Sequence, residues 1–118
     1  MIPVQMWIEI RGKSYTVTLS TIANGKEHQR SYAGEAEKDT TRQRIALLAL
    51  LLGLEHMTKP AYITVKTQEG YLKSNMERLD RWENEGWKKT NGEEVKNRDL
   101  WKKVQRERRK HRITVILI

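Results

Sequence analysis

The sequence predicts an α/β domain built on one five-stranded mixed sheet, with elements in the order β-β-β-α-β-α-α-α-β. Three observations predict it. The first part of the 118-residue chain alternates apolar and polar residues with a period of two and carries a hairpin-turn signal. A Leu- and Ala-rich block then changes the period and is stopped by Lys59-Pro60. What remains sets β-branched runs against helical stretches, and a helix between two strands implies a right-handed crossover to a parallel neighbour.

Each element has its own local reason. Met6–Ile10 alternates as a strand and is closed by Arg11, Gly12 and Lys13. Tyr15–Ser20 alternates more cleanly, apolar on odd positions and hydroxyl-bearing on even ones. Asn24-Gly25 is a hairpin turn because both residues tolerate positive φ, so Lys26–Ala33 returns as the third antiparallel strand. Asp39, Thr40 and Thr41 offer N-caps to a helix over Arg42–Met57, broken only by Gly53. Ala46, Leu47, Leu48, Leu50, Leu51, Leu52 and Leu54 surround most of its circumference, which predicts a largely buried helix. Ala61–Thr67 is a short β-branched strand. A short helix over Gly70–Leu79, a Trp-containing segment over Asp80–Trp87 and a polar loop over Lys88–Glu94 follow. A better helix runs from an Asn97 cap to about Lys110, and Arg112–Ile118 is the last strand.

Length and composition fit one domain with a sizeable core. The chain is 37% apolar and 32% charged, polar for a globular protein but far from a disordered composition. It has no cysteine, which excludes a disulfide scaffold, a thiol nucleophile and a Cys-type zinc site. The longest apolar run, Ile45–Leu54, is half of what a membrane span needs. Met1–Gln5 lacks the charged start and apolar stretch of a signal peptide, so a cytoplasmic location is expected. His28, His56 and His111 fall on separate elements without metal-ligand spacing and read as surface residues. No serine has a recognisable base partner.

Charge is the informative departure. The net charge is +8 and the isoelectric point about 9.9. Between residues 86 and 112, 11 basic side chains face 4 acidic ones, so nearly the whole excess sits on the Trp segment, loop and following helix. Trp82, Trp87 and Trp101 are interleaved there with Lys88, Lys89, Lys96, Lys102 and Lys103. Cations neutralise phosphates and aromatic faces stack on sugars or bases, so the pattern points to nucleic acid. Trp101, at helical spacing from Val104, reads as core; Trp82 and Trp87 are the two expected to reach a ligand.

Certain words in this order of elements resemble a type 1 ribonuclease H. The most specific is Trp82-Glu83-Asn84-Glu85-Gly86-Trp87-Lys88-Lys89 followed by Val95-Lys96-Asn97-Arg98-Asp99-Leu100-Trp101. In that family a Trp-x-x-x-Gly-Trp-Lys segment, a loop and a Val-x-Asn-x-Asp-Leu-Trp helix start form a basic handle. Thr40-Thr41-Arg42-Gln43-Arg44-Ile45-Ala46-Leu47 and Thr67-Gln68-Glu69-Gly70-Tyr71-Leu72 are two weaker matches. The resemblance spans nearly the whole chain and implies the ribonuclease H-like fold, here with the family's final helix absent.

The same resemblance implies that the family's chemistry is missing. Its members cleave the RNA strand of an RNA–DNA hybrid with two Mg²⁺ ions held by about four carboxylates, because paired metals activate water and stabilise the leaving oxygen. The first-strand carboxylate falls on Arg11, the helix carboxylate on Ala46 and the one after the fourth strand on Gln68. The fourth would lie beyond the fifth strand. Glu9, Glu55 and Glu69 stand nearby in sequence, but strand rise, helical rotation and a shifted start set each away from the cluster. No catalytic residue, metal ligand or cofactor is therefore expected.

The leading expectation is a degenerate ribonuclease H-like domain that binds duplex nucleic acid, as the family binds an RNA–DNA hybrid. Trp82, Trp87, Lys88, Lys89, Lys96 and Arg98 would make the handle contact. Thr41, Arg42 and Gln43 would lie near a phosphate, and Arg11 would replace metal charge with guanidinium charge. A second expectation is that the run Val115–Ile118 has nothing to cover its second face, the sheet face away from the helices, which would then be a dimerisation surface or a seat for another protein. A third is a metal-dependent hybrid nuclease with an atypical site.

Overall fold

The computed structural model describes residues 1–118 and contains β1 (Ile2–Arg11), β2 (Ser14–Ala23), β3 (Lys26–Glu35), α1 (Arg42–Glu55), β4 (Ala61–Thr67), α2 (Gly70–Met76), α3 (Leu79–Asn84), α4 (Arg98–Arg108) and β5 (Arg112–Leu117). Strand order is β3-β2-β1-β4-β5, with the first three antiparallel and β1, β4 and β5 parallel. The first three strands exceed their sequence estimates because backbone pairing continues past the last alternating side chain. The Trp-containing segment is itself a short helix, α3.

Alternation decides which face is covered. Met6 opposes Leu19 and Val65, and Ile8 opposes Val17, so the even residues of β1 meet apolar neighbours on both sides. Onto this face α1 packs, with Ile45, Ala46, Leu47, Ala49, Leu50, Leu51 and Leu54 buried. Close seating needs Gly53: a Cβ there would lie 2.7 Å from Met6 Cε and 2.8 Å from Val17 Cγ1. Asn24 and Gly25 take φ of 54° and 75°, the left-handed pair that a two-residue hairpin requires.

The opposite face is mostly polar, with a cluster of hydroxyls on β2. Thr18 Oγ1 lies 2.9 Å from Ser31 Oγ, Ser20 Oγ donates to Glu27 Oε1 at 2.9 Å, and the half-buried Trp7 ring carries Lys66 Nζ 5.0 Å from its centroid. Of the run expected on the uncovered face, only part turns away from the helices. Side chains alternate along β5, so Val115 is buried on the helix side, whereas Ile116 is exposed. His111 is likewise not a surface residue: it is buried and its Nδ1 accepts the Ala61 N–H at 3.1 Å. No helix is long and apolar enough to cross a membrane.

Candidate nucleic-acid interface

The loop between α3 and α4 is a small hairpin set by unusual backbone. Gly86 and Trp87 both have positive φ, 71° and 63°. That turn sends Trp87 N–H to Trp82 O at 2.7 Å and lets Trp87 O accept from Val95 N at 3.0 Å. Lys88 then pairs with Glu94, and Lys89 N–H donates to Glu93 O at 2.7 Å. Lys88, Lys89 and Lys96 are left exposed, with no carboxylate within ion-pair distance of any of them.

Trp82 and Trp87 are largely buried, and of the two only Trp82 lines the cleft between handle and helices. They are 6% and 8% exposed, with ring centroids 6.4 Å apart, and Trp82 meets Trp101 edge-on at 6.1 Å. The interleaving of Trp and Lys arises from a loop that alternates anchors and exposed cations. Most of their ring surface is packed in the core, so both anchor the handle and expose little area for stacking.

A hydrogen-bonded lock joins this root to α1 and α2. Arg44 donates to Asp99 at 3.0 and 2.7 Å and to Asn97 Oδ1 at 3.2 Å, while Asn97 Nδ2 and Trp101 Nε1 both donate to Tyr71 Oη, at 3.1 and 2.9 Å. Hydrogen bonding from Arg44 holds the Asp99 carboxyl below its ordinary range, against a smaller opposing effect of burial. Asn97 is left-handed (φ 60°), and its side chain goes to this lock instead of capping α4 as expected.

Between handle and helices lies a cleft of about 290 Å³, lined by Gln43, Tyr71, Asn75, Arg78, Trp82, Lys89, Val95 and Lys96. Gln43 thus keeps company with the handle lysines. Tyr71, Asn75 and Arg78 were not expected here. Their spacing of four and then three residues on one helical face was the available signal.

Other expected contacts have different partners. Arg98 pairs with Glu94 at 3.0 Å, and the Thr41 hydroxyl accepts the Arg44 N–H as the N-cap of α1. Arg42 is bidentate to Glu69, Nε to Oε1 and Nη2 to Oε2, both at 3.0 Å. Conversely, Lys102, Lys103 and Arg106 on α4 are exposed and unpaired.

At the three positions that the resemblance assigns to metal ligands stand an exposed guanidinium, a fully buried methyl group and an exposed carboxamide. Arg11 has only an exposed ion pair with Glu9, at 3.6 Å, a weak partnership. Ala46 is 0% exposed and Gln68 lies on the surface after β4. Arg42 is one turn before Ala46 and Glu69 directly follows Gln68, so their bidentate pair commits the nearest carboxylate. No group of three or more His, Asp or Glu is placed to hold a cation. This donor set does not fit two Mg²⁺ ions, which require several hard oxygen ligands.

A five-stranded mixed sheet with helices on one face, a helical crossover between the parallel strands β4 and β5 and a basic handle defines the ribonuclease H-like class of fold. The RNase H family model matches residues 11–118, and the chain belongs to that family. It is 40% identical over 103 residues to the ribonuclease H of Lachnoclostridium phytofermentans, covering 85% of this chain and 65% of that one. Over 89 residues it is 36% identical to the Paracoccus denitrificans ribonuclease H, covering 75% and 56%. Among solved structures it superposes on LC9-RNase H1, a type 1 RNase H with the type 2 active-site motif, with a TM-score of 0.79 at 18% identity, over 100% of this chain and 63% of that one. It also superposes on the foamy viral protease-reverse transcriptase in complex with RNA/DNA hybrid, with a TM-score of 0.69 at 17% identity, over 99% and 17% of the two chains. The chain spans 53% to 65% of the length of curated relatives it matches.

Proposed function

We propose that this domain binds duplex nucleic acid, an RNA–DNA hybrid foremost, through its handle face and does not cleave it. One observation carries the reading. Lys88, Lys89 and Lys96 are exposed and unpaired on the handle, with Lys89 and Lys96 lining its cleft, and the resemblance puts Arg11, Ala46 and Gln68 where the family holds its metal. Unpaired lysines on a rigid mount give a phosphate-binding surface without the cost of breaking ion pairs. A relative of the same fold, the foamy viral enzyme, is described in complex with RNA/DNA hybrid, which supports the choice of ligand. Arg11, exposed at the position that the resemblance assigns to a metal-bound carboxylate, would add fixed positive charge beside the duplex.

The test is a salt titration of binding to a fluorescent hybrid duplex, followed by anisotropy. Each phosphate contact contributes about −0.9 to the slope of log K against log salt. Replacing Lys88, Lys89 and Lys96 by Ala should reduce that slope by about 2.7, which is 3 × 0.9. The thermal midpoint should be unchanged, because all three side chains are exposed. An unchanged slope in the triple variant rejects the handle as the contact.

A further inference from the structure

The two outer strands of the sheet are protected very differently. Strand β3 begins Lys26-Glu27-His28-Gln29-Arg30, a charged edge of the kind that resists pairing with another chain. Strand β5 has no charged residue from Ile113 to Leu117, only β-branched and aliphatic side chains. That is the composition of a strand that pairs readily.

The hydrogen bonding fixes which backbone groups of β5 are free. Ile118 N–H donates to Thr67 O at 3.0 Å, and the parallel register matches Thr67 with Leu117, so the even-numbered residues of β5 bond towards β4. The N–H and C=O groups of Ile113, Val115 and Leu117 therefore point outward. The Val115 carbonyl indeed turns away from the sheet, where Lys73 Nζ reaches it at 3.3 Å from α2.

We propose that β5 pairs antiparallel with β5 of a second copy of this chain about a two-fold axis at Val115. The free edge is self-complementary in that register. Val115 faces its own counterpart and Ile113 faces Leu117 of the second copy, each as a hydrogen-bonded pair, giving about six new backbone hydrogen bonds. On the open face, Thr114 meets Ile116 of the second copy as a non-hydrogen-bonded pair. No like charges oppose one another, and the exposed Ile116 and Leu117, at 43% and 47%, gain cross-strand neighbours. The result is one sheet of twice the width. The Lys73 ammonium must release the Val115 carbonyl, a small concession for an exposed side chain.

The chain has no cysteine, so introduced thiols report on one register alone. Light scattering of the full chain across a concentration series should show a mass approaching twice 14.0 kDa. The double variant Thr114→Cys/Ile116→Cys should cross-link to a covalent dimer on mild oxidation, since directly opposed non-hydrogen-bonded residues lie about 4.5 Å apart at Cα. Leu117→Pro removes an outward N–H and should return the protein to monomer. Thr114→Lys/Ile116→Lys sets like charges opposite each other on exposed positions and should do so with an unaltered circular dichroism spectrum, even where the proline variant unfolds. Lys73→Ala should leave the dimer as tight or tighter. A monomer at all concentrations, failure of the thiols to cross-link, or persistence of the dimer in the double-lysine variant overturns the proposal. So does dissociation by Tyr62→Lys, which lies on the open sheet face and not on the edge.

Discussion

Trp82 separates the two meanings of an aromatic residue in a basic segment. If it mounts the handle, its substitution costs stability first. The ring is 6% exposed and lies 6.1 to 6.4 Å, centroid to centroid, from Trp101 and Trp87. Truncation to Ala removes a buried indole and leaves a cavity, a loss of about 3–5 kcal/mol. Phe fills most of the space, so Trp82→Phe should cost about 1–2 kcal/mol. At about 4 °C per kcal/mol for a domain of this size, the Ala variant should melt roughly 12–20 °C lower. Urea denaturation followed by circular dichroism measures both losses, and hybrid binding at low temperature completes the comparison. The folded Phe variant should bind within about threefold of the parent, because a stacking contact would be worth about 1–3 kcal/mol per base and no such contact is being lost. The reasoning is refuted by the opposite pattern, a Phe variant of parental stability whose binding drops tenfold or more.

Three further outcomes follow from the packing and the titrating groups. Gly53→Ala should destabilise by about 1–3 kcal/mol in urea although Ala is the better helix former, because the new methyl meets Val17 and Met6 inside contact distance; a stabilised variant would show that α1 can lift away freely. Burial lowers the His111 pKa from its ordinary 6.5, so below that value the unfolded chain binds a proton that the folded chain resists. Stability should therefore fall as pH drops from 7.5 to 5, and His111→Gln, whose amide can still accept the Ala61 N–H, should flatten that limb. Asp99, lowered by Arg44, has the complementary sign: its contribution is present above about 3.8 and is lost as pH falls towards its folded value, so Asp99→Asn should be less stable at pH 7 and lose less on acidification.

Most of the fold was legible because the signals that specify it are local. Alternation in β1 and β2, the Asn24-Gly25 turn and the Pro60 stop each act within a few residues, and together they leave little topological choice. The assignment of Arg11, Ala46 and Gln68 to the family's metal positions rests on motif matching, which carries positions one at a time. What could not be read was direction. A Trp beside lysines has the same sequence signature whether its ring faces a base or the core; the positive-φ turn at Gly86 and Trp87 decides it. Partnership was equally hidden. Arg42 and Glu69 are 27 residues apart, and only the α1–β4 crossover brings them together. Asn97 looks like a cap because of its type and place, but the lock through Arg44 and Tyr71 claims its side chain. In β5 the apolar run concealed an alternation, with Val115 turned into the core and Ile116 outward.

The most direct measurement mixes the protein with a hybrid whose RNA strand is end-labelled, in Mg²⁺ or Mn²⁺, and resolves binding and strand integrity in the same samples. The predicted result is a complex that weakens with salt and with loss of Lys88, Lys89 and Lys96, in which the RNA stays whole. Metal-dependent cutting of the RNA that disappears in Glu69→Ala would contradict it.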